Sequence, residues 1–446
     1  MDMCNGPLFS KIIVYSIPVM LTGFLQLLYS AVNMVVVGRF VGDYALAAVG
    51  STTTLIDLLI NLFIGLSVGA SAVMAQYYGA EQLNEANKTV HTAVAVSILG
   101  GIILAVFGIF TAKPLLQVMG TPDNILEYSV LYMKIYFLGM PASMVFNFSS
   151  AILRAVGDTK RPLYFLSVSG VVNVVLSLLF VVVFHMSIAG VAVASVISQY
   201  VAVVLIIACL MLSDGCVQLR WKELRIYRDK LFAIIRIGLP AGIQGSIFSI
   251  SNVLIQSSVN SFGSTVVAGN TAAMNIEGFV YVSMDAFYQA ALNFTGQNVG
   301  AKKYNRIGHI LGVCLLSVTI VGLLLGGLSY LFARNLLGMY STDPQVIKYG
   351  IIRLGYVCVP YFICGAMDVF VGSLRGMGYS VVPMLASILG VCGIRITWIC
   401  TIFAMRHTLD ALYISYPISW IVTTCVHLLC FLYIKKKFIG RAEAER

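Results

Sequence analysis

Long apolar stretches recur along almost the whole chain, and they limit its fold more than any other feature. Each is roughly 20 residues or longer, which lets a helix cross a hydrocarbon layer about 30 Å thick. Because 59% of the residues are hydrophobic and only 10% are charged, the chain has too little polar surface for a soluble particle. The sequence therefore predicts an all-α integral membrane protein with about twelve transmembrane helices. The apolar stretches lie near 12–37, 45–75, 87–112, 126–150, 161–185, 188–213, 231–260, 265–296, 308–333, 347–373, 381–405 and 409–434.

The two halves of the chain repeat each other. The segment QYYGAEQLNEA at 76–86 aligns with QNVGAKKYNRI at 297–307, an offset of 297 − 76 = 221 residues, and Gly157 aligns with Gly378 at the same offset. Self-similarity of this kind indicates two copies of one structural unit, an organisation common in secondary transporters. We expect two six-helix bundles joined by a cytoplasmic segment. The predicted parts are an N-terminal lobe at 1–213, a basic linker at 214–230 and a C-terminal lobe with a short basic tail at 231–446.

Lysine and arginine are unevenly distributed between alternate loops. If the N-terminus is inside, the inner loops hold RWKELRIYRDK at 220–230, a basic group at 302–306 and KKK at 435–437, whereas the outer loops hold few. This bias explains most of the net charge of +10, with contacts to anionic lipids as a further use, and it does not form the basic face of a nucleic-acid-binding protein. We expect a multi-pass protein of the cell (inner) membrane, monomeric and with both termini cytoplasmic.

Four acidic residues lie inside predicted spans: Asp57, Glu277, Asp285 and Asp368. Arg395 is the clearly central base. Each such charge costs roughly 2.5 kcal/mol or more at the bilayer centre, so we expect each to face protein or water. We interpret Arg395 as structural, paired with an acid or with helix C-termini.

Several polar residues repeat at helical spacing. In the predicted eighth helix, Glu277, Tyr281, Asp285 and Tyr288 share one face, and carboxylates beside aromatic rings suit an organic cation. The seventh helix carries a seam of amides, and the first helix carries Asn33. The amides either line a cavity or join helices through hydrogen bonds worth about 0.6 kcal/mol each. The amides of the seam are Gln244, Asn252, Gln256 and Asn260.

Asp368 and Arg375 share a helix face seven residues apart. This separation is about 10 Å of helical rise, so a direct ion pair would be strained. We therefore expect Arg375 at the cytoplasmic end of the helix, against carbonyl groups or lipid phosphates.

The ten cysteines show neither CxxC spacing nor paired histidines, and they are interpreted as small buried apolar residues. No metal site is predicted beyond a sodium ion at Asp368. We expect no tightly bound cofactor.

A buried carboxylate has two inexpensive states, in which either a proton or sodium ion or a cationic substrate neutralises it. Mutual exclusion of the two would produce antiport. On this hypothesis Asp368 is the principal exchange site, Glu277 is a second acid, and Asp57 is the second choice in the N-terminal lobe. The predicted cavity residues are Tyr281, Asp285, Tyr288, Asn252, Gln256, Gln244 and Asn33.

A set of motifs occurs in order along both halves. VVVGRFVG and ALAAVG follow the first predicted helix, and AQYYGA and GQNVGA follow the second and eighth. AILRAVGDTKRP in the first half is echoed by MDVFVGSLRGMG and Pro383 in the second. Over nearly the whole chain this set resembles the multidrug and toxic compound extrusion family.

The resemblance implies a twelve-helix, two-lobe secondary transporter that expels amphipathic, often cationic compounds in exchange for sodium ions or protons. Asp368 lies at the position of the family's helix-ten acid, which implies a role in cation binding and coupling. Glu277 is similar to a helix-eight glutamate of some branches. Asn33 stands where many bacterial members carry an aspartate, and Phe248 and Ser249 where one sodium-coupled branch has a glutamate.

Three other classes of protein are considered. A membrane-embedded enzyme is disfavoured because no HExxH, DDxxD-type cluster or Ser/His/Asp grouping is present, and a channel because no TVGYG-like filter is present. A lipid-linked precursor flippase shares the two-lobe architecture. It would favour a strongly basic cavity, whereas the intramembrane charge of this chain is interpreted as mainly acidic.

Overall fold

The chain is helical almost throughout. The computed structural model describes residues 1–444, except for the side chains at 43, 54 and 439–444; residues 445 and 446 of the predicted C-terminal lobe lie outside it. Helices account for 87% of the chain, and residues 1–444 contain no strand. The predicted all-α class is confirmed.

The first half contains seven α-helices, and the sixth continues into a π-helical turn at Leu179–Val183. They are α1 (Leu8–Phe40), α2 (Asp43–Gly79), α3 (Leu83–Val118), α4 (Asp123–Leu138), α5 (Met140–Ala155), α6 (Lys160–Leu178) and α7 (Ser187–Leu212).

The second half contains ten α-helices of unequal length, with π-helical turns at Leu354–Cys358, Ile388–Gly393 and Ile399–Phe403. They are α8 (Arg228–Asn260), α9 (Ser264–Gly300), α10 (Tyr304–Leu331), α11 (Ala333–Gly338), α12 (Pro344–Arg353), α13 (Tyr361–Gly376), α14 (Val381–Ser387), α15 (Ile394–Trp398), α16 (Leu409–Tyr413) and α17 (Ser415–Ala444).

The internal repeat is present in the backbone. Helices α2 and α9 both contain 37 residues and begin 264 − 43 = 221 positions apart. Gly42 and Gly263, just before them, have φ of 114° and 95°, and Glu81 and Lys302, just after them, have φ of 58° and 56°. Positive φ suits glycine but is uncommon for other residues, so its recurrence at the same offset marks the same turns. The prediction of two related halves is confirmed.

The fourth span of each half is bent. The axes of α4 and α5 meet at 47°, and those of the α12 segment and α13 meet at 41°. Pro141 lies in the first turn of α5, and Pro360 immediately precedes α13. Proline removes a backbone donor and opposes a straight helix, which explains a bend at both places.

Nine helices within the described residues are long and apolar enough to cross a membrane, or up to eleven if each bent pair is one span. Helix α9 is not in this count, although its 37 residues match the predicted span 265–296. Its acids and amides, including Glu277 and Asp285, lower its apolar character. With α9 the segments correspond to the predicted twelve.

The chain forms two compact units. Unit 1 contains Met1 and Leu21–Gly242, and unit 2 contains Asp2–Met20 and the chain from Ile243 onward. The divisions fall inside α1 and α8, close to Pro18 and Pro240. The predicted domain limits, 1–213, 214–230 and 231–446, stay a prediction.

The predicted basic linker belongs to unit 1 and packs against α2 and α3 of that unit. Lys230 is 2% exposed, forms an ion pair with Glu85 at 2.5 Å, and donates a hydrogen bond to the Tyr77 hydroxyl at 2.8 Å. The Asn87 amide donates to the Gln218 carbonyl at 2.8 Å. These contacts hold the linker on the neighbouring ends of α2 and α3.

Helices α9 and α13 of unit 2 approach closely because α13 carries glycines four residues apart. A methyl group on Gly372 would lie 2.6 Å from the Tyr288 carbonyl oxygen, and one on Gly376 would lie 2.5 Å from that of Leu292. Small residues at this spacing let membrane helices pack backbone to backbone. Asp285 of α9 and Asp368 of α13 therefore lie on two helices in direct contact.

We expect Gly372→Ala to destabilise the protein by about 1–3 kcal/mol, because the added methyl group overpacks the α9–α13 contact. Gly327→Ala is the matched control, since nothing lies within 4 Å of a methyl group there. The control should be neutral or gain up to about 1 kcal/mol from helix propensity. Thermal unfolding of the two purified variants in detergent measures the difference, and equal melting temperatures would contradict the proposed packing.

Candidate functional site

Asp368 is a half-buried carboxylate on α13 with no direct partner. Its sequence neighbours Met367 and Val369 are buried in the apolar core of unit 2. Within residues 1–444 its carboxylate makes neither a hydrogen bond nor an ion pair. The charged groups close enough to influence it are Asp285 and Arg375. A carboxylate left without compensation in an apolar helix favours exchange of an external cation over a structural role.

Glu277, the other predicted coupling acid, is fully engaged by an arginine. Arg353 Nε donates to Glu277 Oε1 and Arg353 Nη2 donates to Oε2, both at 2.8 Å, so the pair is bidentate. The side chains of Arg353 and Glu277 are only 5% and 7% exposed. The third guanidinium nitrogen, Nη1, donates to Asn270 Oδ1 at 2.8 Å. Two buried charges thus neutralise each other, with good geometry for both.

Arg353 is a buried charged residue that sequence reasoning missed. Arg353 lies inside the predicted span 347–373, and Glu277 lies inside the predicted span 265–296. Both charged residues were therefore visible in the sequence. Their contact was not visible, because it joins α9 to α12 across 76 positions of sequence.

The arginine pair continues into a chain of amides. Asn270 donates to Gln256 Oε1 at 3.0 Å, and Gln256 donates to Asn260 Oδ1 at 2.9 Å. The Tyr413 hydroxyl also donates to Asn270 Oδ1, at 3.0 Å. For Gln256 these bonds support the interpretation that amides join helices; its role in lining a cavity stays a prediction.

Arg375 lies in the last turn of α13, at the end of its helix as the sequence predicted, but its contacts differ from those expected. It is 6% exposed, and it donates to the Tyr288 hydroxyl at 2.8 Å and to Gln244 Oε1 at 3.0 Å. The expectation that it faces carbonyls or lipid phosphates is therefore wrong. The close approach of α13 to α9 brings Tyr288 within its reach, and Gln244 completes the contact from α8.

The predicted stripe on α9 divides into two environments. Glu277 contacts Arg353, and Tyr288 contacts Arg375. Between them along the helix, Tyr281 is 41% exposed and Asp285 is half-buried, and both act electrostatically with Asp368. Tyr288 and its partner Arg375 also act electrostatically with Asp368, so of the four residues only Glu277 is set apart, by its pairing with Arg353. Asn252, on α8, is exposed.

The two predicted site residues of unit 1, Asn33 and Asp57, lie in different surroundings. Asn33 accepts a hydrogen bond from Ser177 at 3.2 Å and donates one to Ser195 at 3.3 Å, so its amide joins α1 to α6 and α7. Asp57 is exposed on α2. Their predicted roles, cavity residue and second-choice acid, stay predictions.

Arg395 is buried without an acidic partner. Its Nε donates to Ser419 Oγ at 3.0 Å, and its guanidinium carbon lies 4.1 Å from the Tyr416 ring centroid and 5.7 Å from that of Trp420. Within the described residues no carboxylate oxygen lies within 4.0 Å of it, so the predicted pairing with an acid is wrong.

The charge of the buried region also differs from expectation. Three arginines of unit 2 are buried: Arg353, Arg375 and Arg395. They balance the three acids predicted there, so the interpretation of the intramembrane charge as mainly acidic is corrected. Arg353 was overlooked, and Arg375 was placed outside the apolar region.

Apolar helices of spanning length in two repeated halves, with acids inside them, are typical of a multi-pass membrane transporter. The MatE family model matches residues 18–179 and 240–399, one segment in each half. The chain therefore belongs to the MatE family, the multidrug and toxic compound extrusion family, whose members are transporters and not enzymes. The predicted family is confirmed.

Two relatives from Bacillus subtilis (strain 168) match almost end to end. "Probable multidrug resistance protein YoeA" is 28% identical over 96% of this chain and 94% of its own length. "Probable multidrug resistance protein YpnP" is 24% identical over 97% of this chain and 96% of its own length. A solved structure described as an outward-facing multidrug resistance MATE family transporter of the MOP superfamily has a TM-score of 0.91 at 21% identity, covering 98% of both chains. This last likeness shows the fold.

Proposed function

We propose that the protein is a multidrug exporter that exchanges amphipathic, often cationic compounds for sodium ions or protons by alternating access. The family membership and the names of the relatives support export of small molecules. The orientation with both termini cytoplasmic, in the cell membrane, belongs to the same proposal and follows from the basic inner loops.

The observation that carries the proposal is the unpartnered carboxylate of Asp368. Among the described residues it makes no hydrogen bond or ion pair, while the carboxylate of Glu277 has a bidentate arginine. A half-buried carboxylate is costly unless something neutralises it. A proton or sodium ion in one stage of the cycle and a cationic substrate in another would both do so, and their competition at Asp368 couples the two fluxes.

The surrounding side chains have distinct proposed roles. Tyr281 and Asp285 extend the negative, aromatic surface beside Asp368, where an organic cation would be attracted by charge and by the ring face. Asn252, whose side chain is exposed on α8 of the same unit, is proposed to line the substrate cavity. Glu277 is a proposed second exchange acid, and a coupling ion must displace the Arg353 guanidinium before it can bind there.

Export driven by an imposed ion gradient tests the proposal. Purified full-length protein is reconstituted into vesicles loaded with a fluorescent cationic substrate, and an opposing sodium or proton gradient is applied. We expect one of the two gradients to accelerate substrate movement above the rate without a gradient. If neither gradient changes the rate while substrate still crosses, ion coupling is wrong.

We expect Asn33→Ala and Asp57→Asn to keep ion coupling. An amide such as Asn33 exchanges no proton near neutral pH, and its hydrogen bonds to Ser177 and Ser195 occupy both ends of the side chain. Substrate efflux and counter-ion uptake are measured together in the same vesicles. If either variant moves substrate without the ion, the coupling site lies in the N-terminal half and the prediction is wrong.

A further inference from the structure

We infer that unit 1 holds a binding site for the headgroup of a zwitterionic phospholipid with a primary ammonium group, of which phosphatidylethanolamine is the type. The site is a cavity of about 420 Å³ where the linker leaves α7. Arg161 binds the phosphate, and Asp214 binds the ammonium group of the same molecule. The ligand is a membrane component and not a transported compound, so the inference goes beyond the proposed export function and does not rest on it. The cavity is lined by Arg161, Cys209, Leu212, Ser213, Asp214 and Val217.

The cavity lies where two membrane-spanning helices end. Arg161 is in the first turn of α6, and Ser213 directly follows the last residue of α7. The apolar spans Lys160–Val183 and Ser187–Leu212 therefore both have one end at the cavity. The end of an apolar span lies at the level of the lipid headgroups, and the linker that follows α7 is on the cytoplasmic side in the predicted orientation.

Arg161 is held in place and still has donors available. Its Nε pairs with Asp158 Oδ2 at 3.1 Å, and its Nη1 donates to Ser213 Oγ at 3.1 Å and to Cys209 Sγ at 3.5 Å. Ser213 Oγ donates in turn to the Cys209 carbonyl at 2.6 Å. Nη2, which carries two N–H donors, has no partner within the described residues. The guanidinium is thus oriented by three side chains, with one nitrogen left for the oxygen of a phosphate group.

Asp214 supplies a negative charge to the same cavity. Its side chain is exposed, and it makes neither a hydrogen bond nor an ion pair in the part of the chain that the structure describes. Arg161 pairs with Asp158 and not with Asp214, although Asp214 lines the cavity with it. Two opposite charges that share a cavity without meeting match a ligand that carries both. Phosphatidylethanolamine has a phosphate and an ammonium group a few bonds apart, and the ammonium offers N–H donors to a carboxylate.

The charge of the site favours a zwitterion over an anionic lipid. The cavity and the partner of Arg161 together carry one positive and two negative side chains, Arg161 against Asp158 and Asp214. An anionic headgroup without an ammonium group would leave Asp214 unpaired and bring a further negative charge beside it. A headgroup whose own charges cancel makes both contacts and adds no net charge.

Apolar surface beside the charged groups indicates a lipid and not a soluble zwitterion. Leu212 is 85% exposed, and Val217 adds a second aliphatic side chain to the cavity. Trp221 is 51% exposed, and its indole nitrogen donates to the Met211 sulfur at 3.1 Å. Tryptophan is enriched at headgroup level because its ring is apolar with one polar group. These side chains provide contacts for the glycerol and first acyl carbons of a phospholipid.

Equilibrium binding of short-chain lipids to the purified full-length protein in detergent tests the site. We expect phosphatidylethanolamine to bind at least about threefold more tightly than phosphatidylglycerol, the order of magnitude for one partly exposed ion pair. Asp214→Asn breaks no contact within the described residues and should remove this preference. Its matched control is Asp123→Asn, which changes an exposed acid in the first turn of α4 and should leave the preference intact. Arg161→Gln should weaken both lipids by a similar factor, because both carry the phosphate.

Glycerophosphoethanolamine, the same headgroup without acyl chains, separates a lipid from a soluble ligand. Leu212→Ser should weaken phosphatidylethanolamine by about threefold or more through lost apolar contact and leave glycerophosphoethanolamine unchanged. Glycerophosphoethanolamine that binds as tightly as the lipid would overturn the assignment to a lipid. Equal affinity for the two lipids, or a preference that survives Asp214→Asn, would overturn the inference, and this holds even if Arg161→Gln does not fold. No transport is measured, so a failure of ion-coupled export would overturn the proposed function and leave this site standing.

Discussion

Asp368→Asn is expected to reduce gradient-driven export to the level of vesicles without protein. The amide has nearly the shape of the carboxylate, but it exchanges no proton near neutral pH and offers no negative charge to a cation. Because Asp368 makes no hydrogen bond or ion pair within the described residues, the substitution breaks no contact. Efflux of a cationic dye from vesicles under the active gradient measures the effect.

Asp368→Glu is the matched control, since it keeps the charge and shifts it by one methylene. We expect it to retain coupled export at a reduced rate. The melting temperature of Asp368→Asn should stay close to that of the unsubstituted protein. Undiminished export by Asp368→Asn, at equal protein content, would remove Asp368 from the mechanism.

Arg353→Met is expected to lower the free energy of unfolding by about 3–5 kcal/mol, because it leaves Glu277 as an uncompensated buried carboxylate. Glu277→Gln should also destabilise, since the charge of Arg353 then lacks its counter-charge. The double variant Glu277→Gln with Arg353→Met removes both charges at once. It should be more stable than the sum of the two single effects predicts. Thermal unfolding of the four proteins in detergent completes the cycle.

The cycle also separates structure from coupling at Glu277. If the double variant is stable and exports with full ion coupling, Glu277 serves only to hold Arg353. If it is stable and loses coupling, Glu277 is the second exchange acid. Additive effects of the two single substitutions would show that the ion pair has no energetic coupling, against the geometry of two contacts at 2.8 Å.

The fold was largely predictable because it depends on apolar length and on repetition. A run of apolar residues identifies a membrane helix without reference to any other helix, and the offset of 221 residues relates one half to the other. Even the positive φ angles follow the offset, as Gly157 at 89° and Gly378 at 87° illustrate. The bends at Pro141 and Pro360 follow from proline chemistry.

The partners of the buried charges were not predictable, because they depend on contacts between helices. Helical spacing placed Glu277 and Tyr288 on one face of α9, but it held no information that α12 would offer Arg353 to one and α13 would offer Arg375 to the other. A distance of about 10 Å along one helix correctly opposed a pair between Asp368 and Arg375. It gave no indication of where Arg375 would bind instead.

Ion movement driven by a substrate gradient in reconstituted vesicles tests the central claim most directly. Vesicles are prepared with equal sodium and proton concentrations on both sides, and a gradient of a cationic substrate is the only driving force. Antiport through one shared carboxylate predicts that substrate movement drives sodium ions or protons in the opposite direction, and that Asp368→Asn abolishes both fluxes together. Substrate movement that carries no ion in either direction, in protein that still transports, would contradict the account.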